Sequence, residues 1–264
     1  MQEAEDFREE SRALQALLAP LTDDRLQAPT QFKGWSINDV IQHLTVWNHM
    51  ARLQIEDEAE LDRQFHSLLE MDANLRKFET AFLDDLRGAA LVEKWQSGFE
   101  ATADTFAAAD PKQRLKWVGP TMSARSSITS RLMESWAHGQ EIYDELGVER
   151  QNTDRIRGIV VLGVNTYRWT YMARGTEPPG EMPRLELTSP SGDVWTFGES
   201  KTDRIAGLAE EFCQVVTQTR NIADTSLTVE GGVAEDWMAK AQCFAGPAVE
   251  PPAPGSRHRR ENEN

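Results

Sequence analysis

Glu134 and His138 lie four positions apart in the string Arg131-Leu132-Met133-Glu134-Ser135-Trp136-Ala137-His138. On a helix that spacing sets one above the other, about 6 Å apart along the axis, so the two can share a metal ion. A second histidine, His43, stands in Trp35-Ser36-Ile37-Asn38-Asp39-Val40-Ile41-Gln42-His43. If its helix packs beside the first, the three side chains form a His2Glu set, which leaves a coordination position open for water or substrate. An open position points to chemistry rather than to a structural clip. Plainer readings stand beside this one. A Glu–His pair is often just a solvated helix face, and a His among Ile41, Leu44 and Trp47 can be a buried residue satisfied by a carbonyl. Asp39, four residues before His43, suits either an orienting carboxylate for its imidazole or a helix-start charge favoured by the macrodipole.

Two helices must therefore carry these residues. Ser36 reads as an N-cap before Ile37, Val40, Ile41 and Leu44, so a helix starts there, carries His43, and runs on into the acidic stretch around Glu56 to Asp62. Ser123 opens the helix of Glu134 and His138, which stops at Gly147. A first helix from Glu3 to about Pro20 and one or two more over 68–108 complete four to five antiparallel helices. Pro111 and a Val118-Gly119-Pro120 turn interrupt them. Bundles of this kind place metal ligands on facing helices.

Beyond Gly147 the pattern changes. One further helix is expected over 154–173, followed by the Gly175-Thr176-Glu177-Pro178-Pro179-Gly180 loop. Alternation in Arg184–Thr188 and Val194–Phe197 around a Ser-Pro-Ser-Gly-Asp turn predicts a β-hairpin. A helix over Asp203–Thr219, a strand over Ser226–Val229 and a short helix over Ala234–Ala241 follow. The fold expected is thus an α-helical four-helix bundle (1–150), a small α+β domain (151–245) and a disordered tail (246–264).

The chain has 264 residues with 43 acidic and 28 basic side chains, a net charge of −15. That balance argues against nucleic acid and anionic membranes, which select basic surfaces. No window is apolar enough for a transmembrane helix, and the acidic start is unlike a signal peptide. Cys213 and Cys243 fit neither a disulfide framework nor a zinc ribbon, so a reducing cytoplasm is the simplest home. No Gly-rich phosphate loop and no G-x-S-x-G elbow occurs, and neither cysteine neighbours a histidine in sequence. His49 faces away from His43, His66 lies in a polar stretch and His258 in the tail, so none of the three is a ligand candidate.

The string from Gly34 to Leu44 resembles the G-W-[ST]-x-x-[DE]-[VL]-x-x-H-L start of the metal-bearing helix in DinB-like four-helix bundles. More closely, it looks like the N-terminal domain of mycothiol-dependent maleylpyruvate isomerases, in which a later helix contributes Glu and His at i, i+4. The resemblance covers about residues 5 to 147. It implies that His43, Glu134 and His138 hold a divalent metal, usually zinc, with mycothiol as co-substrate. It further implies an enzyme in which the metal activates a low-molecular-weight thiol that adds to an electrophilic substrate. Elimination after bond rotation would give isomerisation, and stopping at the adduct would give S-transfer. Thr219-Arg220 stands where the family has Gly-Arg, which carries Arg220 over as a catalytic contact for a substrate carboxylate. A helix-end arginine complementing the dipole explains it equally well. The stretch Tyr167-Arg168-Trp169-Thr170-Tyr171 looks distinctive of a subgroup known only as metal-binding. The alternative function is a non-catalytic structural or regulatory metal-binding protein, and a homodimer is compatible with either.

Overall fold

In the computed structural model the described residues are 1–117 and 121–261. The expected Val118-Gly119-Pro120 turn lies outside them. Two compact units divide the chain, Met1–Glu145 and Leu146–Asn264.

The first unit is built on four long helices, α1 (Gln2–Leu18), α2 (Ile37–Glu56), α5 (Gly88–Ala108) and α6 (Ala124–Glu145), with α3 (Glu58–Glu70) and α4 (Leu75–Phe82) between α2 and α5. Helix α1 packs on α5 and α6, and α2 packs on the same two from the other side. Their inward stripes, among them Phe7, Leu14, Ile41, Trp95, Phe99, Phe106, Ile128 and Trp136, are fully buried. Burying such side chains, at about 1.5–3 kcal/mol each, is the main force that holds the ring together.

Helix α2 begins at a capping box: the Ser36 side chain accepts from the Asp39 amide, and the Asp39 side chain accepts from the Ser36 amide. One continuous helix through residue 62 was expected, but the chain breaks at Asp57. That residue leaves helical geometry and its side chain caps α3 by accepting from the Glu60 amide. Periodicity is blind to this break, because Asp serves equally as an exposed helix residue and as a cap. A two-residue pair of strands, β1 (Arg114–Leu115) and β2 (Met122–Ser123), precedes α6 and was not foreseen.

The second unit opens with α7 (Arg157–Asn165) and α8 (Tyr167–Met172), which split at Thr166 where one helix was expected. The hairpin of β3 (Arg184–Thr188) and β4 (Val194–Phe197) forms with Leu187 opposite Trp195. The helix expected from Asp203 starts only at α9 (Ala209–Val216), because Arg204–Leu208 is a strand, β5. It runs parallel to β3 and antiparallel to β6 (Thr228–Glu230), giving the order β4-β3-β5-β6. Ile205 alone among its five residues is fully buried. A strand with so short an apolar signal, running straight into an amphipathic helix, merges with it in a helical reading. α10 (Gly232–Met238) follows, and its Trp237 meets Phe212 and Tyr167 edge-on.

Where a disordered tail was expected, the described part has no helix or strand but is tied down. Gln218 Nε2 donates to the Val249 carbonyl, Asn221 Nδ2 to that of Pro252, and Arg257 Nη1 to that of Gln218. These bonds satisfy polar groups that composition alone would leave to water.

Candidate metal centre

Ser127 of α6 bonds to Gln54 of α2, while Glu134 of α6 faces His43 of α2. The two helices therefore run antiparallel, and their facing turns bring three side chains together. Donor atoms of His43, Glu134 and His138 all lie within 4.8 Å of one another. Glu134 Oε2 sits 3.5 Å from His43 Nε2 and 3.4 Å from His138 Nε2.

Each imidazole is fixed from behind. His43 Nδ1 is 2.6 Å from Glu79 Oε1, and His138 Nδ1 is 3.1 Å from Glu141 Oε2. An ionised carboxylate only accepts, so in each ring Nδ1 is the donor and Nε2 is the atom turned towards Glu134, presenting a lone pair whenever the ring is neutral. Two lone pairs and a carboxylate oxygen facing one another repel unless a cation or a proton lies between them. The donor set, neutral imidazoles and a carboxylate, is that of divalent zinc-type ions. The residues thus fit a divalent cation.

Electrostatics agree. Burial disfavours the charge of Glu134, but the two histidines and Arg131 outweigh it and hold the carboxyl well below its usual range. Burial also opposes the His138 imidazolium, yet Glu141 and Glu134 push that group up to about 10 in the metal-free protein.

Glu79 is one of two backing residues the sequence reading missed. It is completely buried on α4, where its Oε1 also accepts from Trp47 Nε1 at 2.8 Å and its Oε2 accepts from Arg76 Nη1 at 2.6 Å. Burial alone would raise its carboxyl, but His43, Trp47 and Arg76 hold it low. Arg76 in turn bonds Asp39 Oδ1 at 2.6 Å and Gln42 Oε1 at 2.7 Å and lies over the Trp35 ring. Asp39 therefore acts three hydrogen bonds away from His43, through Arg76 and Glu79, and not on the imidazole itself. The signal available was a charged pair, Arg76 and Glu79, embedded in the Leu75, Phe78 and Phe82 stripe. Glu141 was missed as well, although its place three residues after His138 was a signal the spacing offered.

The loop before α2 walls the site. A turn through Lys33 and Gly34, both at positive φ, lets the Trp35 amide reach the Phe32 carbonyl. Trp35 then stacks on His138 with ring centres 6.1 Å apart, and Phe32 meets the same ring edge-on at 5.2 Å. Arg220 belongs to the other unit, half-buried just past α9, with its Nη1 donating to the Thr219 carbonyl.

A family model for the mycothiol maleylpyruvate isomerase N-terminal domain matches residues 7–143, just over half of the chain and the whole span of the triad. The chain belongs to that family. It is also similar to two proteins of Mycobacterium tuberculosis, one from each of two strains and both described as uncharacterized, at 37% identity over 243 residues. That match covers 92% of this chain and 95% of each relative. Among solved structures, a crystal structure of the mycothiol-dependent maleylpyruvate isomerase aligns with a TM-score of 0.54 and 13% identity, over 81% of this chain and 87% of that one. A histidine-to-alanine mutant of that isomerase aligns with a TM-score of 0.52 and 15% identity over the same shares. At such identities the likeness establishes the fold: a helical bundle followed by a small α+β region.

Proposed function

We propose that the chain is a mycothiol-dependent isomerase of the maleylpyruvate isomerase type, with His43, Glu134 and His138 holding a divalent metal, zinc being the first choice. The observation that carries this reading is the convergence of three donor atoms, each histidine backed by a carboxylate, inside the segment that matches the family model. A divalent cation held there supplies Lewis acidity, which lowers the pKa of a ligated thiol and makes thiolate available at neutral pH.

The protein's own residues do the preparing. Glu79 and Glu141 fix the tautomer and rotation of the two rings, so both Nε2 atoms face Glu134. Trp35 and Phe32 cover His138 with aromatic surface and strengthen electrostatics inside by keeping water off it. Neither cysteine can supply the nucleophile: both are buried, and burial pushes the Cys213 thiol well above its usual value. The sulfur therefore has to arrive on a small molecule, which favours an external thiol in a reducing cytoplasm. Arg220 is proposed as a contact for the carboxylate of the electrophile. The structural alternative needs a fourth protein ligand. Asp39, the carboxylate four residues before His43, is committed to Ser36, Arg76 and Arg87.

The test is cis-to-trans conversion of maleylpyruvate by metal-loaded protein. Turnover that requires mycothiol and disappears in Glu134→Ala supports the proposal. Accumulation of a stable sulfur adduct, read by mass spectrometry, would make the protein an S-transferase instead. Absence of any mycothiol binding by the metal-loaded protein would contradict both.

A further inference from the structure

Arg131 is a cation buried beside the metal triad with its Nη1 left unpaired. It stands three residues before Glu134 on α6, about 4.5 Å back along the axis. The antiparallel pairing of α6 with α2 sets it between the Glu134–His43 and Ser127–Gln54 contacts. Only 7% of its side chain is accessible. Its Nη2 is 3.6 Å from Glu134 Oε1, too long for a hydrogen bond, and its buried Nη1 has no partner at all.

Leaving a charged donor buried and unsatisfied costs stability, and a Leu or Met in its place would carry no such cost. Glu134 offsets the charge but does not use the guanidinium's donors. Its Oε2 faces the two histidines, and its Oε1 stays at ion-pair distance from Arg131. A planar fork of donors one helical turn from an open coordination position matches a carboxylate, which accepts two parallel N–H bonds.

We propose that Arg131 recognises a carboxylate of the ligand entering beside the His43–Glu134–His138 triad. This rests on the reading of the triad as a metal site for small-molecule chemistry and adds a carboxylate contact on the helix of Glu134 and His138 itself, separate from the one proposed for Arg220. Arg131 completes its hydrogen bonds only when that ligand is bound, and so it selects acids over their neutral amides. Its place on the ligand-bearing helix ties the position of the carboxylate to that of the metal.

The probe is maleate, a small cis dicarboxylate, with maleamide as its uncharged counterpart. Binding is read by calorimetry on zinc-loaded wild type, Arg131→Lys and Arg131→Met, with zinc content and circular dichroism measured on each preparation. Wild type should bind maleate saturably and maleamide far less. Arg131→Met should keep its zinc and lose maleate affinity about 10- to 100-fold, the worth of a charge-assisted pair. Arg131→Lys, which keeps the charge but not the fork, should fall between the two. Maleate affinity unchanged in a zinc-loaded Arg131→Met would overturn the proposal. So would loss of zinc and maleate together in both variants, since Arg131 would then act only by placing Glu134. Mycothiol titrated into the same samples separates the two ideas. Failure of wild type to bind mycothiol counts against the isomerase reading, whereas the maleate comparison judges Arg131.

Discussion

His43 holds its direction because Glu79 holds its ring, and Glu79 in turn is held by Trp47 and Arg76. Removing such a backing carboxylate typically lowers metal affinity 10- to 100-fold, so Glu79→Ala should weaken zinc binding by about that factor while Glu79→Gln keeps part of it. A chelator competition on both variants checks this. His138 gives a second prediction. Its folded value, about 10, lies above the unfolded 6.5, so its contribution to the stability of the metal-free protein is complete below pH 6.5 and fades as pH rises through 10. Metal-free protein should melt lower at pH 10 than at pH 7 on this account. Zinc needs the neutral ring, so uptake at pH 8 should release a proton, measurable by calorimetry in buffers of different ionisation enthalpy. The three proposed ligands could be named from the sequence, because an i, i+4 pair and a capped helix are local patterns. Glu79 was not, because a buried acid on a short helix declares itself only once its long-range partners are known.

Helix α2 joins cap and site in a single element. Ser36 and Asp39 satisfy each other's amides at its start, and the same Asp39 anchors Arg76. Ser36→Ala should therefore cost about 1 kcal/mol of stability, seen as a lower Tm or urea midpoint. It should also weaken zinc binding less than Glu79→Ala does, since Arg76 keeps its bonds to Glu79 and Gln42. Full zinc affinity in Glu79→Ala beside a marked loss in Ser36→Ala would refute the Asp39–Arg76–Glu79 chain of support. The bundle's helices and the β3–β4 hairpin could be read from periodicity and turn residues. The break at Asp57 and the strand β5 could not. Each depends on pairing, with the Glu60 amide in one case and with β3 and β6 in the other, and a local pattern holds no record of such partners.

Across the whole chain, charge and cysteine burial constrain the chemistry more than the fold does. The net charge is −15, and among the described residues no helix is long and apolar enough to cross a membrane. Both thiols are sequestered, so the reactive sulfur of the proposed reaction is a ligand and not a side chain. The account stands or falls on the metal. Zinc should be titrated into metal-stripped wild type, His43→Ala and His138→Ala, with bound metal read by elemental analysis after dialysis. The account predicts about one tightly held zinc per wild-type chain and little or none in either variant, the behaviour of a site with three protein ligands. Wild type without zinc, or variants that retain it fully, would contradict it.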